Sequence, residues 1–246
     1  MKDIPENKKP MPKINQAKNR FLPIPESVVK CLEPEQSIND FDIIKMLGVG
    51  SFGKVYSVRH KKTGVVYAIK EINKLNKNNQ EGKPYFRREI EIMYKVHHPN
   101  VVRVFNHFED SKNCYFVMEY VPGGDLLHFL QVGKTKALDT KKVAHIMQEL
   151  ISAVYYLHHM NPPIIHRDIK PENVLLDKDW RIKLTDFGWS NYADGKEIRS
   201  TYCGTPLYLA PEMIKEIGHD QHLDIWCIGV LMFELLTGVF LLGERT

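Results

Sequence analysis

The chain has 246 residues, of which 43% are hydrophobic, with 34 Lys and Arg against 30 Asp and Glu for a net charge of +4. That gives ample core for one large domain or two lobes, and so mild a charge does not argue for a nucleic-acid binder, which usually shows a clustered basic face. The four cysteines (Cys31, Cys114, Cys203, Cys227) have neither zinc-ligand nor disulfide-framework spacing, and Met1-Lys2-Asp3-Ile4-Pro5 lacks the apolar core of a signal peptide, so a reducing compartment is expected.

Residues 1–38 are rich in Lys, Asn, Pro and Glu without apolar periodicity, which predicts a basic, disordered tail. A folded domain is expected over 39–246. Phe41–Leu47 and Val55–Arg59 read as strands flanking a glycine turn, and Val65–Lys70 as a third strand after Lys62-Thr63-Gly64. Helical spacing over Tyr85–Val96 turns Phe86, Ile90, Met93 and Tyr94 toward one side. Two strands follow, around Val101–Phe108 and Cys114–Tyr120, before Pro122-Gly123-Gly124 marks a hinge. Helices are expected over Asp125–Val132, Asp139–Met160 and Asp220–Leu236. The class is α+β and bilobal: a small antiparallel-sheet lobe over about 41–121 and a mainly helical lobe from about 122. Ile225–Leu242 is apolar apart from Glu234 and Thr237. A carboxylate there would cost roughly 2.5–3.5 kcal/mol in a bilayer, so a buried helix is expected and not a span.

The string Gly48-Val49-Gly50-Ser51-Phe52-Gly53 can bring backbone N–H groups to phosphates. A dinucleotide fold would need a helix straight after it; here the β-branched and aromatic Val55-Tyr56-Ser57-Val58 predicts a strand. Lys70 ends an apolar strand and needs a partner. Glu89 is the candidate, since Glu91 points to another helix face, and together they would orient Lys70 toward the α- and β-phosphates of a nucleotide. Val55, Ala68 and Leu175 fit the walls of an adenine pocket, and fit plain core equally well. Met118 precedes a hinge, Glu119–Val121, whose backbone would bond the adenine edge.

His166-Arg167-Asp168-Ile169-Lys170-Pro171-Glu172-Asn173, followed by Asp186-Phe187-Gly188, carries groups that no packing requirement asks for together. Asp168 would accept or orient a hydroxyl proton and Lys170 would stabilise charge on a transferring phosphoryl group. Asn173 and Asp186 would hold Mg²⁺, which prefers oxygen ligands and bridges phosphates. Arg167 beside the acid suggests regulation by a phosphate on the 186–212 segment, with Thr201 the first choice and Ser200 the second; as plain loop hydroxyls they would need no such role.

These motifs resemble those of eukaryotic protein kinases over about Phe41 to Gly238. Lys170 in its loop, with Gly204-Thr205 ahead of Tyr208-Leu209-Ala210-Pro211-Glu212, resembles the serine/threonine class, in which Thr205 would contact the catalytic Asp and Lys. Asp186-Phe187-Gly188-Trp189-Ser190, Ser200–Thr205 and Gly218-His219-Asp220 before Asp224-Ile225-Trp226 are similar to Aurora kinases. Gln36 and Gly123-Gly124-Asp125 depart from them, the latter toward the cyclic-nucleotide-dependent group. The resemblance implies ATP and Mg²⁺ as cofactors and Thr201 as activating phosphosite. It also implies protein substrates with basic residues before Ser or Thr, read by Asp125, Glu172 and Glu234. An activating protein on the small lobe and a cytoplasmic, nuclear or spindle location follow from it, with no nucleic-acid or membrane partner. After Thr237-Gly238 the sequence departs from the family, so a shortened helical lobe with an uncovered last helix is expected. A catalytically silent nucleotide- or partner-binding module is the alternative.

Overall fold

The computed structural model describes residues 36–50, 53–74, 83–132, 137–193, 206–215, 218, 220–239 and 241. The tail expected over 1–38 therefore falls almost wholly outside the described residues, as do Ser51, Phe52, Ser200, Thr201 and Thr205.

Five antiparallel strands form the first layer: β1 Phe41–Gly50, β2 Gly53–His60, β3 Val66–Asn73, β4 Val104–Glu109 and β5 Asn113–Glu119, in the order β1-β2-β3-β5-β4. Strand alternation explains why both faces of this sheet are apolar. On β3, Tyr67 and Ile69 join Phe41, Phe105, Phe108 and Tyr115 in an aromatic cluster on one face. Ala68 and Ile72 turn the other way, into the main core, with Phe116 and Met118 of β5. Lys70 shares the parity of Ala68, so the pleat delivers its ammonium to the core side.

Helix α1 (Lys83–Lys95) leans on that side through Ile92 and Met93. Tyr94, expected to face inward, is exposed, and Ile92 takes its place. The Tyr94 hydroxyl lies 2.9 Å from His107 Nδ1 on β4; the polar tip sets the orientation that spacing alone does not. The strand expected from Val101 begins at Val104. Val101 instead forms a parallel bridge with Leu184, closed by Val102 N donating to Leu184 O at 2.9 Å and Leu184 N donating to Asn100 O at 2.8 Å.

The second layer is helical: α2 Leu126–Val132, α3 Thr140–His158, α4 Pro211–Ile214 and α5 His222–Thr237. Helix α3 buries Val143, Ile146, Met147, Leu150, Ala153, Val154 and Leu157, the i, i+3, i+4 spacing of a core-facing stripe, and Asp139 caps its start by accepting from Lys142 N at 3.0 Å. Helix α5 ends where Gly238 turns left-handed at φ 71° and donates to Glu234 O at 2.8 Å. Among the described residues no helix is long and apolar enough to cross a membrane. Two short pairs, β6 Ile164–Ile165 with β9 Asn191–Tyr192 and β7 Val174–Leu176 with β8 Ile182–Leu184, hold the loops between α3 and α4 against the sheet.

Candidate active site

The β1–β2 hairpin closes with Gly50 opposite Gly53. Gly53 sits at φ +154°, and a Cβ there would stand 1.9 Å from Glu71 O, so only glycine lets β2 leave the turn flush against β3. Beneath the hairpin, Lys70 Nζ donates to Glu89 Oε1 at 2.9 Å and to Asp186 Oδ1 at 2.8 Å. Burial alone would lower the Lys70 pKa, but Asp186 and Glu89 outweigh it and hold the ammonium above the ordinary lysine range. Burial also pushes Asp186 up, but Lys70, with His166 and the Gly188 amide, more than offsets it and keeps the carboxyl below its usual value. At Glu89 burial wins and the pKa is raised. The cation is thus fixed and charged, with an ionised Asp186 beside it. Glu91 faces solvent, as helix geometry requires.

Asp168 is buried and held from three directions. Asn173 Nδ2 donates to its carbonyl at 2.7 Å and to Oδ2 at 2.9 Å, and Lys170 Nζ lies 2.9 Å from the same Oδ2. The turn carrying it passes through Arg167 at φ 68°, a left-handed conformation that a non-glycine residue holds only under constraint. Asp224 of α5 supplies that constraint. Fully buried, it accepts from His166 N at 2.9 Å and Arg167 N at 2.8 Å and lies 2.8 Å from His158 Nε2. The motif reading named Asp224 only as part of a signature; its support of the catalytic loop is separated from that loop by more than fifty residues of chain. Arg167 itself is buried and donates Nε to Trp189 O at 2.5 Å.

Between the layers lies a cleft of about 490 Å³ lined by Gly48, Gly50, Gly53, Val55, Ala68, Lys70, Met118, Glu119, Val121, Leu175, Asn173 and Asp186, a volume that suits a nucleotide. The Val49 side chain lies outside the lining and is 68% exposed, because strand alternation turns it opposite to Gly48 and Gly50; the expectation for the string concerned its backbone N–H groups. Tyr120, inside the expected hinge, lines the cleft, and so do Val102, His128 and Thr185, which no motif marked. The Glu119 side chain turns away to a buried ion pair with Lys183, 2.7 Å from Oε1, leaving its backbone to the cleft. Asp125 and Glu172 stand at the cleft, with Asp125 Oδ1 accepting from His128 N at 2.7 Å. Glu234 differs from the expectation of an open substrate-reading acid: it is buried and accepts from the Tyr208 hydroxyl, because α5 turns that face toward the 206–208 segment.

The donor set fits Mg²⁺ with a triphosphate. Asn173 spends its amide N–H groups on Asp168, which orients its oxygen as the ligand end, and Asp186 adds a carboxylate. Among the described residues no cluster of three His, Cys, Asp or Glu could hold a metal; a cation that takes its remaining ligands from phosphate oxygens and water needs no such cluster.

The sequence profile of the protein kinase domain matches residues 41–246. The chain belongs to the protein kinase family. Within it the chain is similar to an Aurora kinase of Yarrowia lipolytica, 44% identical over 202 residues that cover 82% of this chain and 53% of the relative. Aurora kinase C of Mus musculus is 43% identical, covering 82% and 71%. Protein kinase 3 of Dictyostelium discoideum is 42% identical over 212 residues, 82% of this chain and 23% of that protein. The chain spans about half the length of most of the relatives it matches. The chain is therefore an Aurora-like member of the family, with the small antiparallel sheet and helical layer of that fold.

Proposed function

We propose that this kinase transfers the γ-phosphoryl group of MgATP to serine or threonine hydroxyls in basic sequence contexts. The observation that carries the reading is the convergence, on one cleft, of the Lys70–Glu89–Asp186 cluster with the Asp168–Lys170–Asn173 cluster. Lys70 is charged and aimed by two carboxylates, as an α/β-phosphate anchor must be. Asp168 is immobilised where an incoming hydroxyl can donate to it, and Lys170 is already bonded to its carboxylate, ready to meet charge developing on the transferring group. Bound through Asn173 and Asp186, Mg²⁺ would neutralise phosphate charge and bring the nucleotide into line. Asp125 and Glu172 at the cleft give basic residues of a substrate their counter-charges, and Glu234 joins them only if Tyr208 releases it. Thr201, two residues after Arg199, is the proposed activating phosphosite. Spindle, nuclear or cytoplasmic placement follows the Aurora likeness.

The test is labelled phosphate transfer from MgATP to an Arg-Arg-x-Ser/Thr peptide by residues 1–246, beside Asp168→Asn and Asp186→Ala. Turnover is expected in the parent and a fall of about a hundredfold or more in each variant. A folded parent that binds MgATP and transfers nothing would move the assignment to a silent binding module.

A further inference from the structure

On the outward face of α1, one helical turn apart, Lys95 Nζ donates to Glu91 Oε1 at 2.6 Å. The same ammonium donates to the Tyr192 hydroxyl of β9 at 3.1 Å and stands 5.2 Å from its ring centroid. The Tyr192 hydroxyl donates in turn to Glu91 Oε1 at 3.1 Å. The three groups close a ring of polar contacts between α1 and β9. Burial and the nearby Glu91 keep the phenol above its ordinary range, so it remains a donor at working pH.

The placement of both ends gives this ring its meaning. Glu91 lies two residues beyond Glu89, about 200° around the helix, so Glu89 faces Lys70 while Glu91 faces Tyr192. Tyr192 pairs with Ile164 of β6, and Ala193 N bonds Pro163 O at 2.8 Å. Strand β6 runs directly into His166-Arg167-Asp168, and β9 follows Asp186-Phe187-Gly188 by three residues. The ring can therefore form only when α1, the Asp186 turn and the catalytic-loop strand occupy this arrangement together.

We propose that Tyr192 is a positioning residue that latches α1 to β9, just past Asp186-Phe187-Gly188, and thereby holds Glu89 against Lys70. The latch is solvent-facing, with the side chains of Glu91 and Lys95 53% and 46% exposed. Each contact is individually weak for that reason, which suits a connection that has to open. The consequence for activity rests on the kinase reading; the latch itself does not.

Tyr192→Phe, Glu91→Ala and the double variant of the full chain test it, through amide hydrogen exchange over Glu89–Lys95, KM for ATP, and thermal unfolding. Each single variant is expected to quicken exchange and raise KM about three- to tenfold, the worth of one net hydrogen bond, while kcat at saturating ATP and the unfolding midpoint stay nearly constant. The double variant is expected to match the larger single effect, because either change opens the same ring. Additive effects, unchanged exchange over Glu89–Lys95, or faster exchange throughout with a fallen midpoint would each overturn the latch. If the parent shows no turnover the exchange comparison decides alone, so failure of the kinase reading is told apart from failure of the latch.

Discussion

Lys70 touches two carboxylates with opposite titration behaviour, and that makes its removal pH-dependent. Lys70→Met leaves Glu89 buried with Asp186 as a like-charged neighbour. Removing one partner of a buried pair costs about 3–5 kcal/mol, and the lower end applies because the Asp186 side chain is 31% exposed. Glu89 is already raised by burial and rises further without Lys70. A carboxyl whose folded pKa exceeds its unfolded value of about 4.3 favours the fold at low pH and penalises it as pH climbs through the folded value. Asp186 runs the other way, since Lys70 depresses it. Its contribution is present above the unfolded value of about 3.9 and fades as pH falls toward the depressed one. Both signs make the variant's deficit largest near neutrality and smaller in acid. Thermal unfolding at pH 7 is expected to show a midpoint about 6–12 °C below the parent, narrowing at pH 4.5, with phosphate transfer lost. An equal gap at both pH values would mean that the charge of Glu89 does not depend on Lys70.

Among the elements, α5 does more than fill the core, because its first turn carries Asp224 under the catalytic loop. Asp224→Ala orphans the buried amides of His166 and Arg167 at about 1–3 kcal/mol each, and it releases Arg167 from its left-handed turn. The expected result is a loss of about 3 kcal/mol or more by denaturant unfolding, together with lost phosphate transfer; Asp224→Asn, which keeps one acceptor oxygen, is expected to fall between. Full stability in the alanine variant would show that the loop holds itself. The contrast between Asp224 and Asp168 shows what was legible in the sequence. Asp168, Lys170 and Asn173 lie within six residues, and their chemistry fixes their roles; strand period and turn residues likewise announced β1 to β5 and the hinge. Asp224, Tyr192 and Lys183 act across long chain separations that only the packed layers close. Departures from the expected orientations have local causes of the same kind: Tyr94 found His107, and Glu234 was captured by Tyr208.

For the molecule as a whole, α5 is apolar on nearly every side, and only one side is used. Leu223, Cys227, Val230, Leu231 and Leu235 are buried in the core. Ile225, Met232 and Leu236, spaced seven and four residues apart and so on one helical face, are 38–53% exposed, and Val239 just beyond the helix is exposed too. Next to them Trp226 buries its indole N–H without a hydrogen-bond partner among the described residues. Exposed apolar surface of this kind drives self-association, and none of these residues lines the catalytic cleft. Residues 1–246 are therefore expected to bind an anilinonaphthalene dye and to sediment as concentration-dependent oligomers. The triple change Ile225→Lys, Met232→Lys and Leu236→Lys is expected to suppress both without altering MgATP binding. Association that persists in the triple variant would place the sticky surface elsewhere, the exposed Ile43, Ile44 and Met46 of β1 being the next face to examine.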